Sequence, residues 1–177
     1  MNSGMCRRVK IYYVFPFVLL LLLIVYFISP VLVLEIKTGS GALKYLKVTP
    51  DSEFIIHRIN AIELTPEQDI YFINSNKEIV LKEMVFQSWW GGLDIAPHNL
   101  RIEDKKYIAA YNRVEKEIRF RNGTIPLINF RLEIGTDSFT IDAIAKPGEL
   151  VTIRTASVSR FTFYQNRRNS FSGSIVG

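Results

Sequence analysis

Charged and apolar positions divide the chain into two regimes. From Ile11 to Leu34, IYYVFPFVLLLLLIVYFISPVLVL, 24 consecutive residues carry no charge. A helix of that length spans roughly 36 Å, enough to cross a hydrocarbon layer of about 30 Å, so the pattern predicts a transmembrane segment. Pro16 falls in its first turns, where a missing backbone donor costs least, and Pro30 falls near its end. Beyond residue 38 the helical period is replaced by short β-favouring runs closed by turn residues. These are SEFIIHRI (52–59), DIYFIN (69–74), IVLKEMVFQS (79–88), LINFRLEI (127–134), FTIDAIA (139–145), LVTIRT (150–155) and SRFTFYQ (159–165).

The runs 69–74 and 79–88 flank the polar turn SNKE and predict a hairpin. In LINFRLEI the set Ile128, Phe130, Leu132 and Ile134 is wholly apolar, while Leu127, Asn129, Arg131 and Glu133 are largely polar, which predicts one face in a core and one in water. The stretch 98–122 mixes signals and reads as an excursion with one or two strands. Regular spacing of short strands predicts a mainly β fold: a single N-terminal transmembrane helix, then a small antiparallel β-sandwich or barrel-like domain. The expected layout is a basic cytoplasmic N-terminus (1–10), a signal anchor (11–34), an extracytoplasmic β domain (38–166) and a flexible tail (167–177).

Charge supports that topology. Arg7, Arg8 and Lys10 precede the apolar run, while Glu35 and Lys37 follow it, which keeps the N-terminus in the cytoplasm. A cleaved signal peptide is the competing reading. Its apolar core usually runs to about 7–15 residues with a small-residue site close behind, whereas GSGA at 39–42 comes only after Glu35, Ile36 and Lys37. Without the three N-terminal cations, 19 basic residues face 17 acidic ones, so the net charge of +5 reads as topology and not as a nucleic-acid interface. The single cysteine, Cys6, excludes an internal disulfide framework.

Little in the sequence carries chemistry. His57 and His98 have no His or Cys at ligand spacing, so neither a metal nor a cofactor is expected. Ser88, His57 and Asp94 are the only triad that can be nominated, and no nucleophile elbow surrounds Ser88. Asn122-Gly123-Thr124 fits both a glycosylation acceptor and a turn, with the turn ahead. In FQSWWGGLDIAP (86–97), Gly91 and Gly92 free the backbone to leave the sheet; Trp89 and Trp90 are read as one core cap and one side chain facing a partner or the headgroup layer. Thr65-Pro66 and Ser88-Trp89 fall at one end of the predicted hairpin. Thr65, Pro66, Glu67, Ser88, Trp89, Trp90, Gly91 and Gly92 therefore form a candidate contact patch, set against the plainer reading that Pro and Gly merely end two strands.

EFIIHRINAIELTPEQDIYFI, followed after a turn by IVLKEMVFQSWWGGLD, resembles the domain of unknown function 1850 family of bacterial membrane-associated proteins. Thr65, Pro66 and Glu67 match that family's first motif, with Ile62 in a valine place, while Asn60 and Ala61 stand where His and Ser are expected. Ser88, Gly92 and Leu93 match the second motif; Trp89 replaces an aromatic, and Trp90, Gly91 and Asp94 depart from it. The resemblance implies an accessory protein of the bacterial envelope beside a tripartite (TRAP) solute transporter, its partner being the membrane subunit or the TAXI-type solute receptor, and it implies no known activity. With no catalytic constellation in the sequence, a non-enzymatic role is expected. An envelope hydrolase and a small ligand-binding module remain the alternatives.

Overall fold

The computed structural model describes residues 5–87, 99–124 and 130–172. Residues 32–156 form one compact unit, and the segments on either side of it form a second, helical one.

The first unit is a β-sandwich. Its strands are β1 (Pro30–Thr38), β2 (Leu43–Lys47), β3 (Glu53–Ile59), β4 (Pro66–Ile73), β5 (Ile79–Phe86), β6 (Asn99–Glu103), β7 (Lys106–Glu115), β8 (Ile118–Arg121), β9 (Arg131–Ile134), β10 (Asp137–Thr140) and β11 (Leu150–Ser159). A single turn of 3₁₀ helix, Ile141–Ala143, follows β10. One sheet runs β2-β1-β11-β8 and the other β10-β9-β3-β4-β5-β7-β6, with antiparallel pairing.

Between the sheets lies an apolar core. Leu34 and Ile36 of β1 and Val151 and Ile153 of β11 share one cluster with Phe54, Ile56, Tyr71, Ile73, Ile79, Leu81 and Leu132 of the larger sheet. Fully burying each such side chain is worth roughly 1.5–3 kcal/mol. Phe54 stacks on Tyr71, with ring centroids 5.2 Å apart.

The predicted hairpin is present. β4 and β5 pair from Ile73↔Ile79 to Gln68↔Val85, and Asn74 closes the turn by donating through Nδ2 to Glu78 Oε2 (2.9 Å) while its Oδ1 accepts the Glu78 N–H (2.9 Å). A register shift between Leu81 and Glu83 changes the phase of β5. Strict alternation would point Glu83 inward with Ile79 and Leu81. The extra residue instead puts Met84 opposite Asp69 and Ala109, buries Phe86 and leaves Glu83 to pair with Arg101 (3.2 Å).

Several expected boundaries move. Residues 30–34, assigned from sequence to the end of the transmembrane segment, are the first half of β1, so the β domain starts ahead of residue 38. Val33 and Leu34 are both fully buried, and a strand covered on both faces shows the same unbroken apolar run as a helix. Where one or two strands were expected in 98–122 there are three, β6, β7 and β8. FTIDAIA is strand only to Thr140, and only Arg131–Ile134 of LINFRLEI is described as strand. There Leu132 is buried and Arg131 exposed, as the alternation predicts.

The second unit holds α1 (Met5–Ile28) and α2 (Arg160–Ser172). α1 contains Pro16. Among the described residues, no helix is long and apolar enough to cross a membrane. The side chains described from Val14 to Ile28 are apolar apart from Tyr26 and are almost all well exposed, Phe15 at 73%. α2 replaces both the strand expected at 159–165 and the first half of the expected flexible tail. The Ser159 hydroxyl caps it by accepting the Thr162 N–H (3.1 Å), and a polar cap at that position starts a helix even though FTFYQ alternates.

Candidate functional site

The loop from β3 to β4 is organised by one asparagine. The Asn60 backbone N–H donates to the Thr65 carbonyl (2.8 Å) and its carbonyl accepts from Leu64 (2.9 Å). Its side-chain Oδ1 accepts from the Ile62 and Glu63 N–H groups (2.9 and 3.2 Å). Such side-chain turns suit asparagine, and they hold Leu64 at a φ of 53°. Nδ2 is then left to donate inward, to Glu67 Oε1 at 2.8 Å.

Register completes the site. Arg58 faces Glu67 and Ile56 faces Asp69 across β3 and β4, on the same inner face as Phe54 and Tyr71. The apolar core therefore continues into a charged cluster. Arg58 Nε donates to Glu67 Oε2 (2.8 Å), and its other end lies 3.4 Å from Asp69 Oδ1. Glu67 and Asp69 are only 6% and 7% exposed. Asp69 Oδ1 makes no hydrogen bond among the described residues, so its contact with Arg58 is charge attraction without a directed N–H. Thr65 Oγ1, at the edge of the cluster, is likewise buried without a partner there.

Burial dominates the electrostatics. It pushes the Asp69 carboxyl up to about 6; Glu67 pushes the same way, while Arg58 and Arg113 pull back. Burial and then Asp69 raise the Tyr71 phenol, and burial raises that of Tyr111. Burial works against the Arg58 charge, but Asp69 and Glu67 outweigh it and hold the guanidinium more firmly protonated than usual. Arg113 is tied to Glu115 on β7. Chemically, Asp69 can take or release a proton near neutral pH, whereas both Glu67 oxygens are occupied.

Of the candidate patch, Thr65 is half-buried, Pro66 exposed and Glu67 buried. Ser88, Trp89, Trp90, Gly91 and Gly92 lie outside the described residues, as do Asp94 and His98. β4 and β5 still bring Gln68 opposite Val85, so Pro66 and Phe86 stand at one end of the hairpin. Sequence reading missed Arg58, Asn60 and Asp69 as a unit, and missed Ile62 and Leu64, which project at 80% and 60% exposure beside Pro66. One signal was present: Glu67 and Asp69 alternate in phase with Tyr71 and Ile73.

His57 lies on the opposite face of the same sheet. Nε2 is 3.0 Å from Glu133 Oε2, and Gln68 and Arg131 approach the ring at 3.4 Å. The nominated triad thus retains only a histidine engaged by another carboxylate among the described residues. Asn122 is 1% exposed, and its Nδ2 donates to Asp142 (2.7 Å) and to the Ala145 carbonyl (3.0 Å). Its amide is closed to glycosylation in the folded domain. Among the described residues no cluster of His, Cys, Asp or Glu is set to hold a metal ion.

On the outer face of the four-stranded sheet a groove of about 290 Å³ is lined by Glu35, Lys37, Glu117, Arg119, Thr152 and Arg154, among others. Arg154 reaches Glu35 with two nitrogens, each at 2.6 Å from the same oxygen, and Arg119 pairs with Glu117. Burial and then Glu35 raise the Tyr45 phenol nearby.

These features define a small antiparallel β-sandwich with an ionic cluster closed between strands at one end of its core. The chain belongs to the family described as Domain of unknown function (DUF1850), whose profile matches residues 56–164, from within β3 into the first turn or so of α2. The Asn60–Asp69 segment falls inside that span, and α1, β1 and β2 precede it. No curated protein and no solved structure matches the chain.

Proposed function

We propose that this protein is a non-enzymatic accessory protein of the bacterial cell envelope. The described part of α1 falls short of a span by itself, but with the uncharged residues Ile11, Tyr12 and Tyr13 that precede Val14 in the sequence it tethers the chain to the cytoplasmic membrane as a single-pass anchor, with its β domain outside. The observation that carries the reading is the run of exposed apolar side chains on α1, preceded in the sequence by Arg7, Arg8 and Lys10 and separated from β1 by Ser29 alone. So much contiguous apolar surface is costly in water and is matched by hydrocarbon. Membership of the family, together with the motif resemblance, supports a partner in a TRAP transporter, either the membrane subunit or a TAXI-type receptor. Ile62, Leu64 and Pro66 offer that partner an apolar contact beside a rigid ionic cluster, as few-residue hydrophobic contacts do at interfaces.

Affinity purification of the full chain from solubilised membranes is expected to recover a transporter subunit. Ile62→Asp with Leu64→Asp is expected to abolish that recovery while leaving the chain in the membrane fraction. Recovery of the protein alone, with solute uptake unchanged on deletion, contradicts the transporter role. A second reading, a small ligand-binding module, draws on the groove, where Lys37 and the paired Arg119 and Arg154 present cationic groups. Protection of Lys37 from acylation by a charged solute would favour it.

A further inference from the structure

Resting on the membrane reading above, we propose that α2 is a headgroup-binding helix that lies in the interfacial layer and takes anionic phospholipid. Three observations carry this. First, α2 is tied to the end of α1. The Arg160 N–H donates to the Ser29 carbonyl (3.1 Å), Arg160 Nε donates to Ser29 Oγ (2.9 Å), the Arg160 guanidinium lies 4.5 Å from the centre of the Tyr26 ring, and the Tyr26 and Tyr164 hydroxyls are 3.5 Å apart. The last turn of α1 is where an anchor of this polarity leaves the hydrocarbon, so α2 begins at the headgroup level.

Second, the charge of α2 has one sign. RFTFYQNRRNSFS holds Arg160, Arg167 and Arg168 and no acidic residue. With Tyr164 these arginines fall at spacings of four, seven and eight residues from Arg160, which is one helical stripe. Planar guanidinium forks suit phosphate oxygens. Third, α1 and α2 both carry aromatic side chains in the open: Tyr26, Phe27, Phe161 and Tyr164 are between 40% and 54% exposed. Exposed tyrosine rings with one polar end are what a membrane-interface belt uses.

Each arginine near an anionic surface multiplies local partition by about fivefold, so three of them change it on the order of a hundredfold. The test reconstitutes the full chain in phosphatidylcholine vesicles with and without phosphatidylglycerol and follows amide exchange of α2 by mass spectrometry, beside alkaline extraction of the vesicles. The expected result is retention in both lipids, with α2 exchange on the order of tenfold slower when phosphatidylglycerol is present. Arg167→Gln with Arg168→Gln, which leaves the Arg160 links to Ser29 and Tyr26 in place, is expected to remove most of that difference. Failure to retain the chain in either lipid overturns the anchor and this inference together. Retention with exchange indifferent to phosphatidylglycerol, or slowing that survives the double variant, overturns the headgroup role alone. Protection that appears only in native membranes assigns α2 to a protein partner instead and also overturns it.

Discussion

Arg58→Met is expected to lower the stability of the β domain by about 3–5 kcal/mol at neutral pH, because it strands two carboxylates that have little access to water. Glu67 would keep only the Asn60 amide, and Asp69 would lose its nearest cation. Urea unfolding of the full chain in detergent, followed by tryptophan fluorescence, measures the loss. Adding Glu67→Leu to Arg58→Met should restore part of it, since an apolar pair of similar volume avoids the desolvation that a lone carboxylate suffers. A loss under about 1 kcal/mol for Arg58→Met would place the cluster in the weak class of solvated surface pairs.

The second large effect is a pH dependence at Asp69. Its carboxyl sits at about 6 in the folded domain against an ordinary 3.8, chiefly through burial, so the folded state holds the proton more tightly than the unfolded chain. The stabilisation this gives is complete below the ordinary value and is lost as pH rises through about 6. Between about pH 7 and pH 5 the site should add about 1 kcal/mol, and about 3 kcal/mol once pH is below the unfolded value. Asp69→Asn removes the titration. Stability curves of the two proteins should therefore diverge by that amount on acidification, with the original chain gaining. Parallel curves would mean that Asp69 is solvated. The two effects are coupled, because the damage from Arg58→Met should shrink at low pH, where Asp69 is neutral.

The hairpin of β4 and β5 was legible because alternation and a polar turn agree locally. β1 was not, since two buried faces erase the alternation that marks a strand, and its Val31–Leu34 half merged with the apolar helix before it. α2 was misread for the opposite reason. Five alternating residues satisfy a strand period by chance, and the Ser159 cap that decides for helix is a single side chain. The ionic cluster depends on register: Arg58 and Glu67 are nine residues apart and meet only because Asn60 folds the intervening loop tightly enough to pair them. In the sequence Asn60 stands out only as a departure from the family motif, whereas in the structure it shapes the turn between β3 and β4. The phase change in β5 was equally hidden, because nothing in IVLKEMVF announces that Lys82 is extra against β4, between Leu81 and Glu83.

The anchor and its orientation are tested most directly by thiol labelling with a membrane-impermeant maleimide on intact spheroplasts. Cys6 is the single cysteine and precedes the apolar run, so it should label only after the membrane is permeabilised. In a Cys6→Ser chain, Ser75→Cys places a thiol in the exposed turn between β4 and β5, and that thiol should label on intact spheroplasts. Labelling of Cys6 on intact spheroplasts, or protection of the Ser75→Cys thiol until lysis, would contradict an N-terminus inside and a β domain outside.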